Sequence, residues 1–178
     1  MQYQRIHSET IFEGKVFKVR IDKIQRPSGQ IARVDVVEHA GAVVIAPIDE
    51  SGRIYFVNQY RYPIEQRLLE LPAGMLDPNE EPEACARREC REEIKMSPGR
   101  LVILGGFYLA PGYSTEFLHL YLAQDLSPSS LERDEDEDIR IQGLTIEEVH
   151  KGIKEGIFKD AKTLAGLLLA FQYLGISW

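Results

Sequence analysis

The chain has 178 residues, 44% hydrophobic and 28% charged, with a formal net charge of −7. That composition is ordinary for a soluble globular domain; the acidity argues against general affinity for nucleic acid, and no apolar run reaches the roughly 20 residues that span a bilayer. Two cysteines, Cys85 and Cys90, are too few for a disulfide framework, and MQYQRIHSET lacks the basic-then-apolar layout of a secretory signal, so cytoplasm is the expected compartment.

Residues 1 to about 40 alternate in the manner of strands. KVFKVRIDKIQ and IARVDVVEH flank RPSGQ, whose Pro-Ser-Gly core is turn chemistry, which predicts a hairpin-like module. GAVVIAPI is a continuous apolar strand, ESGR a turn, and IYFVNQYRY a second strand. After LLELPAG comes a densely charged segment, with Pro82 where a first helical turn tolerates it and a helical pattern to about Ile94. LVILGGFYL and EFLHLYLA read as strands around APGYST, and IRIQGL as a third after DEDED. TIEEVHKGIKEG and DAKTLAGLLLAFQYLG carry helical spacing, the latter with a broad apolar face. Strands mixed with three helices predict an α/β/α sandwich with a mixed sheet. We divide the chain into a short N-terminal antiparallel β extension, residues 1–40, and a main domain, residues 41–178.

The charged segment, GMLDPNEEPEACARRECREEIKM, raises the question of chemistry. At about 100° per residue Ala86, Cys90 and Ile94 form one ridge, the candidate core side, and Glu93, Glu89 and Glu92 fan across a flank of about 100°. Like charges at i, i+4 cost about 0.2–0.5 kcal/mol per pair even when exposed. Arg88 is placed to pair with Glu92, and Arg87 and Arg91 lie on the outer face, so a solvated, salt-bridged helix fits the segment. A site for hard divalent cations, which prefer carboxylate oxygens and complete their shell with phosphate and water, fits it as well. Pro72 and Gly74 permit an unusual backbone path into the same region.

Gly74, five residues, Glu80, seven residues, then Arg88-Glu89-Cys90-Arg91-Glu92-Glu93 resembles the Nudix box, G-x5-E-x7-R-E-U-x-E-E-x-G-U with U apolar. Six fixed side chains, each at a background of about a tenth or less, match by chance on the order of once in a million registers. One position departs: Lys95 stands where the family has glycine, and Met96 fills the last apolar slot. The resemblance runs from about Val16 to Leu169, with only the box highly specific.

The resemblance implies that Glu89 and Glu93 are principal Mg²⁺ ligands, with Mn²⁺ as a substitute, that Glu92 assists, and that the backbone carbonyl of Ala73 joins the coordination. It implies that Arg88 orients the carboxylates and that Glu80 braces the loop. Pro111 in YLAPGYSTE, fifteen residues past Met96, is similar to the marker of the ADP-ribose pyrophosphatase subgroup, as are LLELPAG and NQYRYP. In that subgroup an arginine at the position of Arg61 contacts the substrate phosphates, and a glutamate at the position of Glu116 helps form the site near the terminal ribose. An acidic loop supplies a catalytic glutamate, for which Glu137 and then Glu135 are the candidates. The N-terminal hairpin resembles an extension that forms homodimers, in which Phe17 would stack on a base and Arg33 approach it across the dimer. The implied reaction is hydrolysis of ADP-ribose to AMP and ribose 5-phosphate, with no nucleic acid or membrane partner. Another nucleoside diphosphate sugar, such as GDP-mannose, and a non-catalytic nucleotide-sensing module are the alternatives. Cys85 and Cys90 lack metal-ligand spacing, and His7, His39, His119 and His150 are scattered, so none of them is a candidate.

Overall fold

The computed structural model describes residues 2–131 and 138–177. The chain divides into two compact units, one of residues 1–41 with 107–117, the other of residues 42–106 with 118–178.

In the first unit β1 (Gln4–Glu13), β2 (Lys18–Gln25) and β3 (Ile31–Glu38) form an antiparallel sheet in that order. The expected hairpin is β2–β3, closed at RPSGQ by Gly29 in the left-handed region (φ 86°), where its N–H donates to the Arg26 carbonyl at 2.8 Å. The added strand, β1, is exposed along its whole length. Asp22, 5% exposed, accepts from Ser8 Oγ at 2.6 Å and from Arg20 Nε, which ties β1 to β2 by side chains as well as backbone. Residues 109–116 fold back on the end of β3, where Val37 donates to the Tyr113 carbonyl and accepts from Thr115 N.

In the second unit β4 (Ala42–Pro47) is buried at every position and pairs in parallel with β9 (Phe117–Pro128). On its other edge it pairs antiparallel with β7 (Ala73–Met75), and β8 (Met96–Tyr108) lies beyond β9, giving the order β7-β4-β9-β8. A second antiparallel sheet has the order β10-β5-β6, from β10 (Ile139–Leu144), β5 (Ile54–Arg61) and β6 (Gln66–Glu70). The short strands β6 and β7 have no period of their own in the sequence.

Alternation along β4 and β9 explains the layers, because successive side chains point to opposite faces. Val43, Ile45, Tyr121 and Ala123 pack with Cys85, Ala86, Cys90 and Ile94 of the segment around helix α1 (Pro82–Glu93). On the opposite face Gly166 of helix α3 (Ala161–Leu174) sits so close to Leu71, Val44 and Leu120 that an added Cβ would lie 2.6 Å from Leu71 Cδ1. A residue this small lets α3 approach the strands. Helix α2 (Ile146–Lys154) begins with a capping box between Thr145 and Glu148. The expected α/β/α sandwich and its three helices are therefore present, and the ridge Ala86-Cys90-Ile94 faces the core as the helical spacing predicts.

The departure at Lys95 has a structural answer. Lys95 adopts φ +60°, the left-handed conformation that a glycine would take past the end of α1. Its Nζ donates to the Leu131 carbonyl at 2.6 Å and its own carbonyl accepts from Ser129 N at 3.0 Å. The turn keeps the shape of the glycine version, and a lysine that could not otherwise favour that conformation is held there by the side-chain bond to the Leu131 carbonyl, which a glycine would lack.

Candidate active site

Two backbone elements meet at the site. The first is β7, placed by its ladder on β4, with Val43 opposite Gly74 and Val44 opposite Ala73. The second is α1, whose apolar ridge rests on the same β4. Burying that ridge carries the adjacent flank to the core edge, leaving Glu89 only 8% and Glu93 only 3% exposed. The Ala73 N–H donates to Glu93 Oε2 at 2.9 Å. Gly74 lies directly against Glu89: a Cβ there would sit 1.7 Å from Oε1 and 2.0 Å from the carboxyl carbon. Here the glycine serves close approach, and no side chain can replace its hydrogen.

Three carboxylates on one flank need a counter-charge, and Arg88 supplies it. Its Nε and Nη2 each donate to Glu80 at 2.9 Å in a bidentate pair, while Nη1 donates to Glu89 Oε1 at 2.6 Å and Glu92 Oε2 at 2.9 Å. Nη2 also donates to the Met75 carbonyl at 3.1 Å, which joins helix to β7. The hydrogen bonds from Arg88 hold the Glu80 carboxyl down to about 2, and the same bonds raise the guanidinium further above its ordinary value against the opposing effect of burial. Glu80 also accepts from Asp77 N at 3.0 Å, so it braces the loop before the helix. Burial pushes both cysteine thiols up, Cys90 to about 12, so neither is a nucleophile at neutral pH.

The donor set suits a hard divalent cation. Glu89, Glu92 and Glu93 offer oxygen only, two of them are nearly buried, and the space a Cβ would need at Gly74 is occupied by the Glu89 carboxylate itself. Ala73, expected through its carbonyl, touches Glu93 through its N–H.

Arg61, a candidate from the sequence, belongs to a second charged group in the same unit whose other members, Glu70 and Lys162, went unread in the sequence. Glu70, 1% exposed at the end of β6, accepts from Arg61 Nε at 3.0 Å and Arg61 Nη2 at 2.6 Å, and also from Lys162 Nζ. Lys162 donates in addition to Asp160 Oδ2 at 2.8 Å, and Asp160 caps α3 by accepting from Thr163 N. Burial alone would raise the Glu70 carboxyl, but the Arg61 hydrogen bonds and the Lys162 charge outweigh it and leave it lowered. Arg61 is raised in turn, mainly by its bond to Glu70, and the negative charge of Glu93 adds to the effect. A glutamate inside the apolar string LLELP was the available signal, because such a residue needs buried partners.

The remaining candidates lie in the first unit or outside the described residues. Phe17 is 42% exposed with its ring centroid 5.9 Å from that of Phe12, so it is no core residue. Arg33 is exposed and donates to Asp35 at 3.3 Å. Pro111 is exposed in the turn closed by Tyr113 N and Ser114 N on the Ala110 carbonyl, and Glu116 N donates to Ser114 Oγ at 3.1 Å. Glu135 and Glu137 lie outside the described residues.

The loop, helix and carboxylates on this sandwich define a Nudix-type hydrolase. The NUDIX domain profile matches residues 38–166, and the chain belongs to the Nudix family. It is 35% identical to the ADP-ribose pyrophosphatase of Bacillus subtilis (strain 168), over 98% of this chain and 93% of that one. It is 37% identical to the methanol dehydrogenase activator of Bacillus methanolicus, over 95% and 90%. A solved structure titled as an ADP compounds hydrolase superposes with a TM-score of 0.87 at 24% identity, covering 98% of this chain and 95% of that chain, which shows the shared fold. The resemblance to the ADP-ribose pyrophosphatase subgroup is borne out by these relatives. Among the described residues no helix is long and apolar enough to cross a membrane.

Proposed function

We propose that this hydrolase cleaves the pyrophosphate bond of ADP-ribose, giving AMP and ribose 5-phosphate, with Mg²⁺ as its ion. The observation that carries the chemistry is the cradle in which Gly74 admits the Glu89 carboxylate while Ala73 N holds Glu93. The substrate reading is supported by 35% identity to an ADP-ribose pyrophosphatase along nearly the whole chain.

Glu89, Glu92 and Glu93 would hold the ion, which when bound supplies charge neutralisation for the two phosphates and activation of water. Arg88 keeps Glu89 and Glu92 apart from each other's charge and fixed in orientation through Nη1. Glu80 locks Arg88, which fixes Glu89 and Glu92 in orientation; among the described residues no three carboxylates already converge as a metal-holding group, so the site closes around the ion on binding. Arg61 offers a planar cation for phosphate oxygens. Pro111 and Glu116 bound the terminal ribose, and Glu137, with Glu135 second, takes the proton from the attacking water. An acidic protein thereby accepts a dianionic substrate through local cations.

The chain works as a homodimer in the cytoplasm in this reading. Ile6 (50%), Ile11 (55%), Phe12 (52%) and Ile31 (51%) leave the β1–β3 sheet with exposed apolar side chains, a surface that a second copy would cover. Phe17, in the turn between β1 and β2, would stack on the adenine, and Arg33, on β3, would approach it across the dimer.

The test is a panel of ADP-ribose, GDP-mannose, NADH and diadenosine polyphosphates, with Mg²⁺ or Mn²⁺, comparing wild type with Glu93→Gln. ADP-ribose should be the best substrate and Glu93→Gln should lose about 100-fold or more in kcat. Preference for GDP-mannose would overturn the substrate and leave the mechanism standing. Binding without turnover would make the chain a nucleotide sensor, and full activity in Glu93→Gln would refute the metal site.

A further inference from the structure

The Arg61–Glu70–Lys162 group has no part in the carboxylate cradle, yet it is built with more care than a surface salt bridge. Glu70 keeps only 2% of its side chain exposed, whereas Arg61 keeps 38%. The buried member of the trio is thus the anion, and the member that faces solvent is the arginine. A guanidinium has five N–H groups. Glu70 takes one from Nε and one from Nη2, along a single edge, which leaves the Nη1–Nη2 edge with its geometry fixed. That second edge matches the spacing of two phosphate oxygens.

Glu70 alone would cancel the charge of Arg61. Lys162 offsets this, because it shares Glu70 Oε2 with Arg61 Nη2 from a different element, the first turn of α3. Asp160 is the fourth member, and its charge is taken up by the α3 N-terminus through Thr163 N and Thr163 Oγ1. The four formal charges sum to zero, so the positive character of the group comes from the partial charge of the α3 N-terminus and from Arg61 being the member that reaches solvent. It also borders the cradle: Glu70 precedes Leu71, Pro72 and Ala73 in the chain, Leu71 N donates to Thr163 Oγ1 at 2.9 Å, and the field of Glu93 reaches Arg61.

We propose that Glu70 and Lys162 are positioning residues that hold Arg61 as a phosphate clamp beside the carboxylate cradle. Glu70 sets the plane of the guanidinium, and Lys162 preserves its charge. This rests on the pyrophosphatase reading for its ligand class, a pyrophosphate diester, and not on the identity of the nucleoside.

The experiment measures inorganic pyrophosphate binding to the full chain by calorimetry in the presence of a chelator, and separately kcat and KM with Mg²⁺ on the substrate panel. Wild type, Lys162→Met, Lys162→Arg and Glu70→Gln are compared, with melting temperature as the check on folding. Lys162→Met should weaken pyrophosphate binding about tenfold, the size of one charge-assisted contact, and raise KM by a similar factor with kcat changed less than about twofold. Lys162→Arg should restore both. Glu70→Gln should also weaken binding, because the loss of orientation outweighs the removal of a negative charge; tighter binding would show that net charge alone matters and would overturn the proposal. Unchanged pyrophosphate affinity in Lys162→Met, or a wild type that does not bind pyrophosphate, would overturn it too. A wild type that binds pyrophosphate but turns over nothing on the panel would count against the enzymatic reading and leave the clamp intact.

Discussion

Replacing Gly74 with alanine tests the cradle most directly. The added Cβ would lie 1.7 Å from Glu89 Oε1, 2.0 Å from Cδ and 2.6 Å from Oε2, where real contacts do not fall below 3.0 Å. Gly74 cannot retreat easily, since its strand is paired to β4, so the Glu89 carboxylate has to give way. Doing so breaks its 2.6 Å bond from Arg88, a charge-assisted contact that contributes about 1.5–3 kcal/mol. In the proposed reading Glu89 is a metal ligand, and displacing it by about 1 Å costs about 100-fold in rate. Gly74→Ala should therefore lose about 2 kcal/mol in urea unfolding, about 100-fold in kcat and about 10–100-fold in divalent-cation affinity by titration with Mg²⁺ and Mn²⁺. The cause can be isolated in a double-mutant cycle, because Glu89→Ala removes the obstruction. Gly74→Ala should then cost almost no further stability in the Glu89→Ala background. Undiminished cost in that background, or near-normal activity of the single variant, would refute the reasoning.

Three other outcomes are expected. Arg88→Lys should be destabilised by about 2–3 kcal/mol in urea and lose most activity, because an ammonium cannot reproduce the bidentate bond to Glu80 while also reaching Glu89 and Glu92; near wild-type stability would contradict this. Glu80 is held at about 2 in the folded state against 4.5 when free. A depressed carboxylate contributes stability that is full above pH 4.5 and is lost as pH falls towards 2, here about 2 kcal/mol after allowing for partial exposure. Urea midpoints should fall over that window in wild type and less steeply in Glu80→Gln, and parallel curves would exclude the role. Lys95→Gly relieves the left-handed strain but loses the bond to the Leu131 carbonyl, so the two offset to within about 1 kcal/mol. Lys95→Ala keeps the strain and loses the bond, and should be the less stable of the two by about 1 kcal/mol in the same unfolding measurement.

The helix α1 and its carboxylate flank were legible because helical spacing converts residue numbers directly into faces. Ala86, Cys90 and Ile94 went to the core, and Glu89 and Glu93 followed to its edge. Gly74 was legible as necessary but not as to cause: the sequence pointed to backbone freedom, and the structure shows the reason is the carboxylate pressed against it. Strands β6 and β7 escaped notice because five and three residues are too few to show a period, and they are held by pairing with β5 and β4. Strand β1 was one of several alternating stretches whose pairing no local pattern specifies. The Glu70 group joins residues 92 positions apart, Glu70 and Lys162, and only the packing of α3 brings them together.

Strand β4 serves the site without contributing a functional side chain. Both halves of the cradle take their position from it: β7 by hydrogen-bonded register at Val43 and Val44, and α1 by the seat of its ridge on Val43 and Ile45. A displacement of this strand would carry glycine and glutamates along together, so ordinary thermal motion of the core leaves the spacing between them nearly constant. The same arrangement makes Val43 a concealed control point, since a change of volume there would tilt helix against strand and detune the site from within, with every charged residue still in place.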